Sequence, residues 1–335
     1  MKLGLRSLVV LLAAFGVAAS FDSGSRLNTD SVRPAQTFPA LSPLPGTASL
    51  APPSDPNNFT FFVAGDNRPK KELDPPTDTI VKFFQKVAKH NPSLVMLAGD
   101  TIYGKNPNSE TTIQGEYAAF LKVAKQGGVP VFNAPGNHEM DDQDDVPNAQ
   151  MQKWYAQYMA QPYGAFNYGN SRFIAMNTEE IAPRGIKRAP RAPTETAGKT
   201  LDPGYVSADQ VDALQADLDA NKDKAHIFIF MHHPIKPASA KDGLDPDIAK
   251  KLEKLFKQYK NVSYVVAAHE HLYFNPQTND GQPPPSWKSN QTPVYLVSGG
   301  AGAPLKKKPA PGVAVYHYLI FTVAGDVVTV TKKDL

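Results

Sequence analysis

The stretch Phe59-Thr60-Phe61-Phe62-Val63-Ala64-Gly65-Asp66-Asn67 decides the fold. Six mostly apolar, β-favouring residues run into a glycine and two polar side chains. A run so short and so apolar reads as a strand covered on both faces, as in a sheet flanked by crossover helices. The pattern recurs along the chain. Residues 94–98 end in Gly99-Asp100, and residues 129–133 precede Gly136-Asn137-His138-Glu139. Residues 227–231 lead into His232-His233-Pro234, and 262–268 into His269-Glu270-His271. Strands are also expected over 172–177, 294–298, 314–322 and 326–331. Between them, helices are expected over 80–90, with Thr77 or Asp78 near the start, and over 116–125, stopped by Gly127-Gly128. A third covers 211–218, behind a capping box of Ser207 and Gln210. Alternation of strand and helix predicts an α/β fold.

Composition sets wider bounds. The 335 residues are 41% apolar and 20% charged, ample for a core. A formal charge of +3 is too small to argue for nucleic acid, and no basic stretch is interleaved with aromatics. Lys306-Lys307-Lys308 reads as a solvated loop. Lys2 and Arg6 followed by the apolar run 8–19 and the small residues Ala18, Ala19 and Ser20 fit a removable signal peptide over 1–20. The run is shorter than the ~20 residues of a membrane span, so no stable span is expected after its removal. Export to the periplasm or the extracellular space follows as an expectation. The chain has no cysteine, so neither a disulfide nor a cysteine-linked lipid supports it. Residues 21–58, rich in Pro, Ser, Thr and Asn, read as a flexible leader, and 59–335 as the catalytic domain. Residues 182–204 show no period and read as a long surface loop.

In open α/β sheets, ligands bind beyond the carboxyl ends of the strands. Five strands place polar residues there: Asp66, Asn67 and Arg68; Asp100 and Tyr103; Asn137, His138 and Glu139; His232 and His233; His269 and His271. Five of the eight histidines lie in this set. Singly, each has an ordinary reading. Gly-Asp after a strand is a turn, Tyr103 a packed aromatic, and Asn137 a turn residue. His269 and His271, two apart on extended chain, face the same side. Together they differ, because desolvated carboxylates and imidazoles are costly unless paired or bound to metal, and few cations are nearby. Oxygen and imidazole donors without thiolate suit iron, zinc or manganese rather than a structural zinc.

In this order the clusters resemble the calcineurin-like metallophosphoesterase superfamily, and more closely its purple acid phosphatase-like branch, a choice that rests on Tyr103. The family pattern runs Asp-x-His or Asp-x-Gly, Gly-Asp-x-x-(Tyr), Gly-Asn-His-(Asp/Glu), a lone His, and Gly-His-x-His. Weaker matching segments are Tyr168-Gly169-Asn170 and Ser298-Gly299-Gly300-Ala301-Gly302. The resemblance implies a four-layer α/β/β/α sandwich and two metal ions. Asp66, Asp100, Tyr103 and His271 would hold one, and Asp100, Asn137, His232 and His269 the other, with Asp100 bridging. In the tyrosine-bearing branch the first is iron and the second zinc, manganese or iron. The chain departs from the pattern at Arg68, where the family has His or Gly, and at Ala268, where it has Gly. An arginine cannot ligate and stays charged, so Arg68 either grips a phosphate oxygen or pairs with a carboxylate. The paired histidines that plant-type relatives carry after the lone His are not evident, and His233 either substitutes for them or supports its neighbours.

The expected chemistry is hydrolysis of a small-molecule phosphate ester, phosphomonoesters first, by a metal-activated water. His138 would stabilise the transition state or protonate the leaving oxygen. Glu139 would orient His138 or a ligand, or else face solvent. Two alternatives are a phosphodiesterase acting on nucleotides or phospholipid-type esters, and a non-catalytic binding module on the same fold, which Arg68 favours.

Overall fold

Strand β1 (Asn58–Ala64) alternates its side chains between two cores, and every other layer is arranged around it. The computed structural model describes residues 38–104, 109–140, 149–181, 203–278, 281–288, 291–307 and 311–335. In chain order, β1 is followed by α1 (Asp78–His90), β2 (Leu94–Leu97), α2 (Glu110–Ala124), β3 (Val131–Asn133), α3 (Asn137–Met140) and α4 (Ala149–Tyr158). Next come β4 (Gly164–Tyr168), β5 (Ser171–Ala175), α5 (Ala208–Ala220), β6 (His226–Phe230) and α6 (Pro246–Phe256). The chain continues through β7 (Val262–Ala267), β8 (Tyr273–Phe274), β9 (Trp287–Lys288), β10 (Val294–Ser298), β11 (His317–Ala324) and β12 (Val327–Asp334). They form two six-stranded sheets, ordered β3-β2-β1-β11-β12-β9 and β4-β5-β6-β7-β10-β8.

Phe61 and Val63 point between the sheets, where they meet Phe173, Phe228, Phe230 and Phe321. Phe62 and Ala64 point the other way, onto Ile80, Phe83, Phe84 and Val87 of α1. On the second sheet Ile227 and Ile229 pack against Leu214 and Leu218 of α5 and Leu252 and Phe256 of α6. The layers therefore run α/β/β/α, as the family resemblance implies. Period-two alternation with both faces apolar explains why these strands are unbroken hydrophobic runs.

Local signals set the helix ends. Thr77 accepts a hydrogen bond from Ile80 N at 3.4 Å, and Asn91 ends α1 in a left-handed conformation (φ 47°) just before Pro92. Helix α2 starts six residues earlier than expected because Ser109, whose side chain accepts from Thr112 N, caps it there. The capping box at α5 is half formed. Ser207 accepts from Gln210 N, but the Gln210 amide is drawn away to Asn177, accepting from its N–H and donating to its carbonyl, both at 3.0 Å.

The leader expected to be flexible over 21–58 is docked from Phe38 on. Phe38, Leu41 and Leu44 are buried. Leu41 N donates to Ala165 O on β4 at 3.1 Å, and Leu44 N to Val131 O on β3 at 2.7 Å. β4 and β3 are edge strands, one from each sheet, so this segment satisfies carbonyls that would otherwise be open. Its proline content forbids a helix but suits such an extended strap. The expected signal segment lies outside the described residues, and so does the long loop except for its last two residues.

Phe61 is fully buried, stacked on Phe321 (centroids 4.8 Å apart, 12° between planes) and edge-on to Phe173 and Phe228, both at 5.0 Å. Phe61→Ala should cost ~3–5 kcal/mol of stability, read as a lowered midpoint in urea unfolding. An unchanged midpoint would place the core elsewhere.

Candidate metal centre

Strands β1, β2 and β3 run parallel in one sheet, as do β6 and β7 in the other. Their carboxyl ends bring the two sheets' polar loops together. Asp66 N donates to Gly99 O (3.1 Å) and Asn67 N to Asp100 O (3.0 Å), which locks the first two loops. Among the described residues, six that are not glycine adopt left-handed φ, and four of these are Asp66 (55°), Asp100 (58°), His269 (69°) and His271 (52°). Each such residue costs ~1–3 kcal/mol and persists only where the surroundings over-determine it. Here the reversal right after the strand turns the side chain back over the sheet end. Close approach adds a requirement for glycine. A Cβ on Gly136 would strike the Asp100 carboxylate and stand 2.9 Å from His232 Cε1, and one on Gly299 would strike the Asp66 carboxylate.

The side chains converge in two groups. His232 Nε2 lies 3.1 Å from Asn137 Oδ1, 3.1 Å from His269 Nδ1 and 3.3 Å from Asp100 Oδ1. His269 Nδ1 is also 3.1 Å from Asn137 Oδ1. On the other side, donor atoms of Asp66, Asp100 and His271 all lie within 4.8 Å of one another, with Asp66 Oδ1 3.7 Å from His271 Nε2. Asp100 belongs to both groups. Tyr103 meets the cluster through its backbone carbonyl, which takes a hydrogen bond from His138 Nδ1, and through its ring, 6.1 Å from that of His138.

Backbone carbonyls set the histidine tautomers. His232 Nδ1 donates to Ala98 O and His271 Nδ1 to Pro304 O, both at 2.7 Å. A ring nitrogen facing a carbonyl must carry the proton, which leaves Nε2 of each neutral ring with its lone pair toward the carboxylates. Burial, followed by the neighbouring His233, pushes His232 down to about 4. Burial, followed by Arg68, also lowers His271. Both are therefore neutral donors at physiological pH.

Asp66 is the exceptional group. It is fully buried, and no side chain among the described residues donates a hydrogen bond to its carboxylate, toward which the backbone N–H groups of His271 and His269 are turned. Burial, with Asp100 adding its charge, raises its pKa well above the usual range, and Arg68 and the backbone N–H groups of His271 and His269 only partly oppose them. A buried carboxylate beside a second one and without a side-chain donor is unstable alone and well matched to a cation. With neutral imidazoles and an amide oxygen completing the set, these residues fit two oxygen- and nitrogen-ligated ions of the iron, zinc or manganese type.

The surrounding groups hold this arrangement. Glu139 is buried, not solvent-facing. It accepts from Asp100 N (2.9 Å), Gly136 N (2.7 Å), and the N–H and hydroxyl of Thr101, and so ties two ligand loops together. His233, expected either to substitute for the paired histidines or to support its neighbours, stands behind His269. Its ring centroid is 4.0 Å from that of His269, and Nδ1 lies 3.2 Å from Thr178 Oγ1 and 2.9 Å from Glu179 Oε1. It positions His269 rather than facing a substrate. Arg68 pairs with a carboxylate, Nε standing 3.6 Å from Asp100 Oδ2. Lys306 is not merely solvated: Nζ reaches Asp242 at 2.9 Å and Glu270 at 3.5 Å. Glu270 in turn accepts from Ala238 N and Ser239 N, both at 2.7 Å, and clamps the loop after β6.

Thr178 and Glu179 escaped the sequence reading. They follow β5 as a sixth polar strand end, and the motif that exposed the other five applies to them equally. Gly299 was noticed only as part of a weak segment.

Asp66→Asn should raise the melting temperature of chelator-treated protein, because it removes a buried carboxyl group that burial and the neighbouring Asp100 destabilise. It should also abolish the rise in melting temperature that added Mn²⁺ or Zn²⁺ gives the wild type. A differential scanning experiment in which the variant gains as much from metal as the wild type would remove Asp66 from the centre.

Comparison with known proteins places this geometry. Residues 55–273 match the family model described as calcineurin-like phosphoesterase. Among solved structures, a dimetal phosphatase from Danio rerio is similar at a TM-score of 0.58 and 14% identity, over 82% of this chain and 96% of that one. The structure of PhoD is similar at 0.56 and 15%, over 83% and 66%. No curated protein sequence matches. The chain belongs to the calcineurin-like phosphoesterase family and is a metal-dependent phosphoesterase.

Proposed function

We propose that the chain is an exported, binuclear-metal phosphatase that hydrolyses phosphomonoesters. The observation that carries this reading is the buried Asp66 carboxylate beside Asp100, to which no side chain donates a hydrogen bond among the described residues, with neutral imidazoles on both sides. Asp66, Asp100, Tyr103 and His271 would hold one ion, iron in this reading. Asp100, Asn137, His232 and His269 would hold the other: zinc, manganese or iron. Bound there, the ions would supply charge neutralisation of the phosphoryl oxygens and a water of lowered pKa. The assignment of iron leans on Tyr103, whose phenolate is the ligand type that gives the family's purple branch its colour.

His138 sits against this pair of positions. Its Nδ1 hydrogen bond to the Tyr103 carbonyl fixes the ring, and Nε2, 3.8 Å from Asp100 Oδ2, faces the cluster. Nε2 is thus the atom that can hold a proton near a developing negative charge and pass it to a leaving oxygen. His138 N also donates to Asp100 Oδ1 at 3.1 Å, which joins the proton donor to the carboxylate shared by the two groups. Export rests on Lys2, Arg6 and the apolar run that follows them. Among the described residues, no helix is long and apolar enough to cross a membrane.

Turnover of nitrophenyl phosphate against bis-nitrophenyl phosphate tests the ester class. The monoester should be the faster substrate, and a clear preference for the diester would overturn that assignment. His138→Ala should retain its metals and lose ~10²–10⁴ in turnover; full turnover would remove His138 from the reaction. In iron-loaded protein, Tyr103→Phe should bleach an absorbance band in the middle of the visible range. Persistence of the band would show that Tyr103 is not the iron's ligand.

A further inference from the structure

We infer that the two cation positions are unequal in affinity and that Arg68 makes them so. With divalent ions, the position among Asp100, Asn137, His232 and His269 fills first, and the position beside Asp66, Tyr103 and His271 holds its ion more weakly. This rests on the binuclear reading above and adds a property that the family pattern does not contain, because that pattern has histidine or glycine at this place.

The first position is already at binding geometry. Its donor atoms stand 3.1 to 3.3 Å apart along the contacts from His232 Nε2. Ligands about 2.0–2.1 Å from a tetrahedral ion are themselves about 3.3–3.4 Å apart. Little rearrangement is needed, and Nδ1 of His232 is anchored by Ala98 O. The second position is more open, with 3.7 Å between Asp66 Oδ1 and His271 Nε2.

The second position also contains a resident charge. The Arg68 guanidinium reaches Asp100 Oδ2 with Nε at 3.6 Å, and Nη1 donates to Pro69 O at 3.2 Å, which tethers it. Nε is buried and has no hydrogen-bond partner among the described residues, so the guanidinium is held toward the carboxylates rather than into water. It does not deprotonate. The two oxygens of Asp100 are thereby divided: Oδ1 faces His232, and Oδ2 faces Arg68 and His138. An ion drawn to Asp66 must share the Asp100 carboxylate with a permanent cation. Even with strong screening, repulsion between a divalent and a monovalent charge at such range weakens binding by about tenfold or more.

The test is a Mn²⁺ titration of chelator-stripped full-length protein, followed by calorimetry and by electron paramagnetic resonance. Wild type should bind one equivalent tightly and a second at least ~10-fold more weakly. Its spectrum should be that of an isolated ion until the second equivalent is well in excess. Arg68→Gln and Arg68→His should tighten the second equivalent by ~10-fold or more, leave the first unchanged, and bring on the exchange-coupled spectrum near two equivalents. Arg68→Lys, which keeps the charge, should keep the gap. Circular dichroism verifies that each variant is folded. Equal affinities in the wild type, or a gap that survives in both Arg68→Gln and Arg68→His, overturns the inference and leaves the binuclear reading standing. Failure of the wild type to bind any Mn²⁺ or Zn²⁺ overturns both.

Discussion

Two carboxylates buried side by side, one of them with no side-chain hydrogen-bond donor among the described residues, set the terms for this molecule. Asp66, buried beside the charge of Asp100, does not stay ionised in that setting unaided, and protonation would take away its capacity to bind a cation. The loops around them are built to make the arrangement fit a positive charge. Glu139 collects the amides of Asp100, Thr101 and Gly136, and Asp66 and Asn67 hydrogen-bond across to the carbonyls of Gly99 and Asp100. Two glycines keep Cβ atoms out of the carboxylates' space. The imidazoles arrive with their tautomers already chosen by Ala98 and Pro304 carbonyls. Remove the demand for a cation and each of these features becomes an uncompensated cost.

That demand also explains where strain is stored. Asp66, Asp100, His269 and His271 adopt a backbone conformation that L-residues avoid, and they do so at the sheet ends where both layers meet. The aromatic core between the sheets makes this tenable. Rings such as Phe61, Phe173, Phe228 and Phe321 lock the strands in register, so the loops cannot relax by sliding. Packing in one part of the molecule thus holds geometry in another.

Support comes from further out as well. Glu179 and Thr178 fix His233 against His269, and Glu270 with Lys306 ties the loops after β6 and β7 to the segment beyond β10. The strap from Phe38 closes the edge strands β3 and β4. None of these groups faces the reacting space, yet each limits how far a ligand can stray.

The sequence by itself determined the strands, the polar strand ends and the ligand types. A buried strand must be an unbroken apolar run, and the residue that follows it must be able to turn. Phe59 to Asp66, the Gly-Asp and Gly-Asn steps and the His-x-His pair all record such local constraints. Helix α6 was equally legible, since Asp245 and Pro246 mark its start and Ile248, Leu252, Leu255 and Phe256 follow at helical spacing. Tertiary structure alone decided which partner each side chain meets. The burial of Glu139, the place of His233 behind His269, the docking of Phe38, Leu41 and Leu44 and the turn of Arg68 toward Asp100 all depend on groups tens to hundreds of residues away. Such contacts arise from the closing of two sheets against each other, and no local pattern in the chain encodes that closure.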